Sequence, residues 1–304
     1  MIYDCAIIGG GPAGLNAALV LGRARRTVAL FDNDQPRNAV THASHGFLTR
    51  DGVTPAEFRR IAYEEVLQYP TVEHRAQTVI SIRKLAEGFE ITDGNDQRIQ
   101  SKKLLIATGL KDILPDLSGV KELYGKSLFQ CPYCDGWELR DQPLIVISEQ
   151  PHVFHMAKLL YKWSKDLVIC TNGQSILTDE EKQLLASRDI MVTEQQVSAL
   201  HGDANGKLQQ VEFTDGTRIA RSGGFITPQW TSVHAQWSEA LGYEANERGG
   251  IQVDPMGKSS VPGLFAAGET ATGGSSQLII AASSGSMAAV MINTELMEED
   301  FQLT

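Results

Sequence analysis

The stretch that most restricts the fold is Gly-Gly-Gly-Pro-Ala-Gly at residues 9–14. Gly9, Gly11 and Gly14 are spaced G-x-G-x-x-G, with Pro12 and Ala13 completing the turn. An apolar run, YDCAIIG (3–9), precedes it, and Leu15, Ala18, Leu19 and Leu21 follow at helical spacing. RTVALFD (26–32) then reads as a second strand, which makes a βαβ unit. In such a unit Gly9 permits the sharp turn, Gly11 lets backbone approach a pyrophosphate, and Gly14 lets helix and strand pack closely. Free N–H groups and the dipole at the helix N-terminus favour the phosphates. Asp32 ends the second strand, where an acid takes ribose hydroxyls. A glycine-rich turn in an unrelated α/β protein is the alternative, and it leaves the matching strand, helix and acid unexplained. On these residues alone the dinucleotide is FAD or NAD.

The rest of the chain repeats this plan. TVISIRKLAEGFEITDG (78–94) has a counterpart in QVSALHGDANGKLQQVEFTDG (196–216). Each reads as alternating strands around a Gly-containing turn, and each leads to an apolar strand, KLLIATG (103–109) and GGFITP (223–228). Between residues 143 and 170, LIVIS, HVFHMAKLLYKWS and DLVIC form a second apparent βαβ. The expected fold is α/β, with two Rossmann-like three-layer domains, each carrying a small antiparallel β insertion. A length of 304 residues suits about two domains.

The formal charge of -10 argues against nucleic acid as a partner. No membrane partner is expected, because no apolar run approaches the ~20 residues that span a bilayer. The first apolar run lacks a preceding basic segment, so no signal peptide is expected and the cytoplasm is the default location. The four cysteines, Cys5, Cys131, Cys134 and Cys170, are too few for a disulfide scaffold.

Two further motifs place a strand against a glycine turn: LLIATGL (104–110) and VPGLFAAGET (261–270). SQLIIAASSGSMAA (276–289) then reads as an apolar helix rich in small residues. GGGPAG, ATG, C-x-x-C-D and GLFAAGE, in this order and spacing, resemble the low-molecular-weight thioredoxin reductases, which are flavoprotein disulfide reductases with two dinucleotide domains. The resemblance covers the chain from Tyr3 to about Ile292. It implies FAD along the N-terminal domain, bound by Gly9, Gly11, Pro12, Ala13, Gly14 and Asp32, with Thr108 and Gly109 passing close by. Gly268 and Glu269 would meet the ribityl chain, Glu269 being one methylene longer than the family's aspartate. Arg37 and Asn38 follow Asp32 and are further candidates for polar contact with the cofactor. The resemblance also implies a homodimer. It divides the chain into a discontinuous FAD domain (1–113 plus 228–304) and an inserted NAD(P)-like domain (114–227) that carries the cysteines.

Cys131 and Cys134 stand in SLFQCPYCDGWELRD (127–141), with Asp135 directly behind them. Such a pair is half of a zinc site, a thioredoxin-like active site, or a redox pair beside a flavin. Zinc needs four ligands and no second pair exists, so no metal is expected. C-P-Y-C also occurs in glutaredoxins, where it lies early in a small fold rather than mid-chain. In disulfide exchange the thiolate is the nucleophile. The resemblance assigns Cys134 to the flavin side, Cys131 to attack on the substrate, and Asp135 to proton transfer. A helix cap is the other role open to Asp135.

One part of the family pattern is missing. In VISEQPHVFHMAKLL (146–160), Ser148, Glu149 and Gln150 occupy the place of NADPH-binding glycines. Glu149 would oppose a phosphate, and Pro151 removes a donor. VICTNGQSI (168–176) lacks the arginine that would hold a 2′-phosphate. The expected activity is therefore that of a FAD-dependent, thioredoxin reductase-like enzyme acting on a thioredoxin-like protein or a small dithiol or disulfide. Its electrons would come from weakly bound NADPH, from a ferredoxin-type protein, or from a substrate dithiol with oxygen as the final acceptor. PRNAVTHASHGFLTRDG (36–52) resembles the small-molecule dithiol oxidases of this superfamily, and His42 or His45 within it is a candidate base. A non-catalytic FAD sensor is the reading from another class. Trp137, Trp163 and Trp230 are expected to pack, with Trp137 also a candidate for a partner-facing position.

Overall fold

A computed structural model describes residues 1–274 and 277–302 of the protein. The chain begins with β1 (Ile2–Ile8), α1 (Pro12–Arg23), β2 (Val28–Phe31), α2 (Pro55–Leu67) and β3 (Val72–Arg75). β4 (Val79–Lys84), β5 (Phe89–Asp93) and β6 (Arg98–Ile106) follow, then β7 (Leu110–Ile113), α3 (Val120–Leu123), β8 (Leu128–Phe129) and α4 (Pro132–Asp135). Next come β9 (Leu144–Ile147), α5 (Val153–Leu160), β10 (Leu167–Cys170), α6 (Asp179–Ala186) and β11 (Met191–Thr193). β12 (Val197–Gly202), β13 (Leu208–Phe213), β14 (Arg218–Ala220), β15 (Gly223–Ile226) and β16 (Gln229–Ser232) lead to α7 (Ser238–Leu241), β17 (Leu264–Ala266), α8 (Glu269–Thr272) and α9 (Leu278–Gln302).

The first sheet runs β3-β2-β1-β6-β5-β4, with β17 also paired to β6. Its core strands are apolar on both faces, as a covered parallel sheet requires. Alternate residues serve two cores. Cys5, Ile7 and Leu105 pack with α1 and α9, while Tyr3, Ala6, Ile8, Leu104 and Ile106 pack on the other side. The second sheet, β11-β10-β9-β15-β8, is parallel and likewise two-faced. Ile145, Ile147 and Val168 face one core, and Leu144, Val146 and Ile169 face the other.

The repeat is visible as β4-β5 and β12-β13, two antiparallel pairs that end in Thr-Asp-Gly turns. The copies differ at the next step. β6 is one continuous strand, antiparallel to β5 at its start and parallel to β1 over most of its length. In the second copy Arg221 and Ser222 break the same path into β14 and β15. Ser222 turns its N–H to Pro143, and the Arg221 guanidinium turns aside to Asp166 at 2.5 Å. β7 and β16 pair as an antiparallel ribbon that carries the chain between the two sheets in both directions.

α9 runs on to Gln302 because Ile292 and Leu296 continue the buried stripe of Ala281, Ala282, Gly285, Ala288 and Ala289. Ser276, expected as its first residue, lies outside the described residues. At Gly285 a Cβ would lie 2.0 Å from the Ala13 carbonyl oxygen, so the small residue is what lets α9 close on α1. By length and composition α9 is apolar enough to cross a membrane, against the expectation that no apolar run approaches that length. Its small-residue stripe is buried against α1. Lys103, nearly buried on β6, is held by Glu295 at 2.8 Å and Glu299 at 2.5 Å from α9. Two tryptophans expected to pack do not. Trp137 is 64% exposed with the Arg140 guanidinium 4.2 Å over its ring, and Trp230 is also exposed.

Candidate functional site

The glycine turn joins β1 to α1. Gly9 has φ +115°, and a Cβ there would meet the Ala107 carbonyl oxygen at 2.3 Å. The turn after β6 therefore runs directly against it. At Gly14 a Cβ would come 1.8 Å from the Gly9 carbonyl oxygen, whereas at Gly11 it would meet nothing within 4 Å. The backbone at Gly11 thus faces open space ahead of α1, whose first turn is Pro12, Ala13 and Gly14.

Asp32 follows β2 and is mostly buried. It accepts hydrogen bonds from Tyr63 Oη at 2.5 Å and Arg59 Nη2 at 2.6 Å, and Arg59 Nη1 also donates to the Gly10 carbonyl at 2.7 Å. Burial pushes the Asp32 carboxyl up, but the Tyr63 and Arg59 hydrogen bonds outweigh it and hold the group below its ordinary value. The two partners come from one face of α2, spaced i and i+4. That spacing was present in the sequence, but its direction toward Asp32 was not. The open cradle at Gly11, the N-terminus of α1 and the fixed acid fit the diphosphate and ribose of FAD.

The two later turns close over this one. Gly109, at φ +67°, donates its N–H to Thr270 Oγ1 at 2.9 Å, and Thr108 Oγ1 lies 3.4 Å from the same hydroxyl. Gly268, at φ +66°, donates to Ser284 Oγ on α9 at 2.8 Å. Glu269 pairs tightly with Arg37, which also lies 3.4 Å from Asp112 on β7. Tyr124 Oη donates to the other Asp112 oxygen at 2.8 Å. The pairings Arg37–Glu269, Arg37–Asp112 and Tyr124–Asp112 have no local signature in the sequence, since they join residues 232, 75 and 12 positions apart.

A cleft of about 110 Å³ opens between the two halves of the chain. Arg37, Asn38, Ser44 and His45 line one side, Cys131, Cys134 and Asp135 the other, and Gln277 and Leu278 the start of α9. Asn38 Nδ2 lies 3.5 Å from Ser44 Oγ. Cys131 and Cys134 form a disulfide across the single turn of α4, with Cα atoms 5.3 Å apart. Burial, with the charge of Glu138 adding and His45 opposing, pushes the Asp135 carboxyl up to about 7. A carboxyl there exchanges its proton near neutral pH, as a general acid–base group must. Of the two histidines, His42 is exposed, while His45 lies in the cleft with its ring between Glu138 and Asp51, 3.5 Å from each.

The turn after β9 is filled by side chains. Ser148 Oγ accepts the Gln150 N–H and the Thr227 hydroxyl, both at 3.2 Å. Asn172 Nδ2 donates to Glu149 Oε1 at 2.6 Å, and Asn172 Oδ1 accepts the Val197 N–H at 2.9 Å. A side-chain bridge thus crosses the crevice at the carboxyl ends of β9 and β10, where a dinucleotide would lie in such a fold. A diphosphate there would have to displace the Glu149–Asn172 bridge.

The family described as pyridine nucleotide-disulphide oxidoreductase matches residues 3–285. A probable thioredoxin reductase of Arthroderma benhamiae is 34% identical, over 98% of this chain and 81% of its own. Thioredoxin reductase aclD of Aspergillus oryzae is 31% identical, over 97% and 96%. Among solved structures, a putative thioredoxin reductase from Bacillus anthracis superposes with a TM-score of 0.94 at 48% identity, over 98% of this chain and 99% of its own.

Proposed function

The chain belongs to the pyridine nucleotide-disulphide oxidoreductase family, and on that premise we propose how this thioredoxin reductase-like enzyme works: reducing equivalents pass between bound FAD and the Cys131–Cys134 pair, and the pair exchanges with an outside disulfide or dithiol. One observation carries the reading. The disulfide lines the same cleft as Arg37, Asn38 and the start of α9, and Arg37 in turn pairs with Glu269 at the turn after β17. FAD, when bound, supplies the two-electron acceptor or donor.

The chain's own residues do the rest. A partner thiolate attacks Cys131 Sγ, the Cys131–Cys134 bond breaks, and Cys134 departs as a thiolate. Protonated Asp135 neutralises that sulfur, and a second partner thiol displaces Cys131 from the mixed disulfide. In the opposite direction Asp135 takes the proton back. The partner is a thioredoxin-like protein or a small dithiol, and the relatives named as thioredoxin reductases support the first. The division into 1–113 plus 228–304 and 114–227 is supported by the membership of the two sheets and the ribbon between them. A homodimer is supported by exposed apolar residues on α9, among them Ile280, Met287 and Val290. Two free, buried cysteines are consistent with a cytoplasmic protein.

A second reading rests on the filled turn after β9. With Glu149 and Asn172 bridged there, no step is routed through NADPH. A partner dithiol would then give its two electrons and two protons to oxygen by way of the disulfide and the cofactor, leaving a disulfide and hydrogen peroxide. An anaerobic titration of the flavin separates the readings. Bleaching by a dithiol but not by NADPH, with peroxide formed in air, is the expected result. Bleaching by NADPH at stoichiometric amounts rejects it, and turnover surviving Cys134→Ser rejects both readings.

A further inference from the structure

The turn between β1 and α1 carries a glycine that its motif does not ask for. Gly9, Gly11 and Gly14 fill the glycine positions of G-x-G-x-x-G, and residue 10 is a free position that is also glycine. Gly10 has no positive φ, so its backbone conformation suits any residue. What excludes a side chain is space. A Cβ at Gly10 would sit 2.5 Å from Asp32 Oδ2 and closer still to the Tyr63 hydroxyl. Tyr63 and Arg59 reach this point from α2, and both donate to that one carboxylate oxygen. The other terminal nitrogen of Arg59 takes the Gly10 carbonyl at 2.7 Å, and its Nη2 also reaches Asp34 at 2.8 Å. The Tyr63 ring is packed in turn by the Arg59 guanidinium, 5.4 Å from its centroid, and by the His74 ring of β3 at 4.6 Å. Asp32 Oδ1 receives the Asp34 N–H at 3.3 Å, a long contact that leaves it able to accept again.

We propose that Tyr63 and Arg59 are positioning residues of the cofactor site, which clamp one oxygen of Asp32 so that the other is presented to the adenosine ribose, and that residue 10 is glycine in order to admit them. They act on the cofactor through Asp32, and the proposal rests on the reading that FAD binds at this turn. A carboxylate fixed before the ligand arrives loses no rotational freedom when it binds, which is the gain from preorganisation. The clamp also keeps the group charged. Asp32 is faced by Arg59 and Tyr63 of α2, by His74 of β3 and by Asp34 just beyond β2. Burial works against the carboxylate, and the bonds from Tyr63 and Arg59 overcome it. Asp32 thus stays an acceptor for ribose hydroxyls in a place that would otherwise favour its neutral form.

The test titrates the full-length protein, freed of flavin, with FAD and with an FAD analogue that lacks both hydroxyls of the adenosine ribose. Tyr63→Phe keeps the ring and removes the bond to Asp32. It should weaken FAD about tenfold, the usual loss for a hydrogen bond to a charged group, and leave the affinity for the analogue unchanged. As pH is lowered, its FAD binding should fail at a higher pH than in the unaltered protein, because burial then acts on Asp32 with less opposition. Arg59→Lys keeps the charge but loses the fork that spans Asp32 and the Gly10 carbonyl, and it should show the same pattern. Gly10→Ala should do so too, as its methyl displaces the Tyr63 hydroxyl. Equal weakening of FAD and analogue by Tyr63→Phe, an acid limit of binding that does not move, or an analogue that binds the unaltered protein as tightly as FAD overturns the clamp. Full FAD affinity in Gly10→Ala overturns the role of residue 10. If the unaltered protein takes up neither ligand, the FAD reading falls instead.

Discussion

Replacing Asp135 with asparagine should give a protein that is more stable and far less active. In the fold, burial first and the charge of Glu138 second lift this carboxyl from 3.8 to about 7. Below pH 3.8 both folded and unfolded chains hold the proton, and there is no cost. Between the two values the folded chain keeps a proton that the unfolded chain has lost, so stability falls as pH rises. Above about 7 both are ionised and the cost is constant. The full displacement corresponds to roughly 4 kcal/mol as an upper bound, and partial exposure of the group brings the expected figure to about 2 kcal/mol. Asparagine removes it. Urea unfolding of the FAD-loaded variant at pH 8 should show that gain over the unaltered protein, and the gain should be smaller at pH 5. Exchange with dithiothreitol at pH 7 should fall by roughly 10²–10⁴, the usual contribution of a general acid. A variant whose stability gain is absent, or is larger at pH 5 than at pH 8, would show that burial does not hold the carboxyl protonated. Intact exchange would show that the proton comes from elsewhere.

Gly14→Ala should abolish flavin retention and cost about 1–3 kcal/mol, because its methyl would lie 1.8 Å from the Gly9 carbonyl oxygen. A yellow, normally stable variant would contradict the close packing of β1 and α1. Lys103→Met should lower stability by about 1–3 kcal/mol in thermal unfolding without changing the flavin spectrum. The loss is limited because Glu295 keeps Lys258 at 2.6 Å, and an unchanged melting temperature would mean that the buried pair adds nothing.

The legible parts of the fold are those built from neighbours in sequence. β1, the glycine turn and α1 are a local pattern, and Gly9, Gly11 and Gly14 differ in spatial role in ways their spacing already states. The same holds for the antiparallel pairs at 79–93 and 197–213, each of which ends in Thr-Asp-Gly. Helix α9 was read too short because its second half trades small residues for larger, more polar ones, although Ile292 and Leu296 keep the buried period. What stayed hidden depends on contacts between distant segments. Asp32 could be placed, but not the Arg59 and Tyr63 that hold it. Glu269 was expected to face the cofactor, and its pairing with Arg37 across 232 positions has no local signature. The rise of Asp135 to near neutrality likewise needs the walls of the cleft, which come from both halves of the chain.

The contact between Gly285 and Ala13 has a consequence for how the protein is made. The glycine turn is made early relative to α9, yet α9 is its back wall. Until residues 264–296 are released, the N-terminal βαβ unit has an exposed apolar face. A change that disturbs α9 therefore reaches a site whose other half was made much earlier.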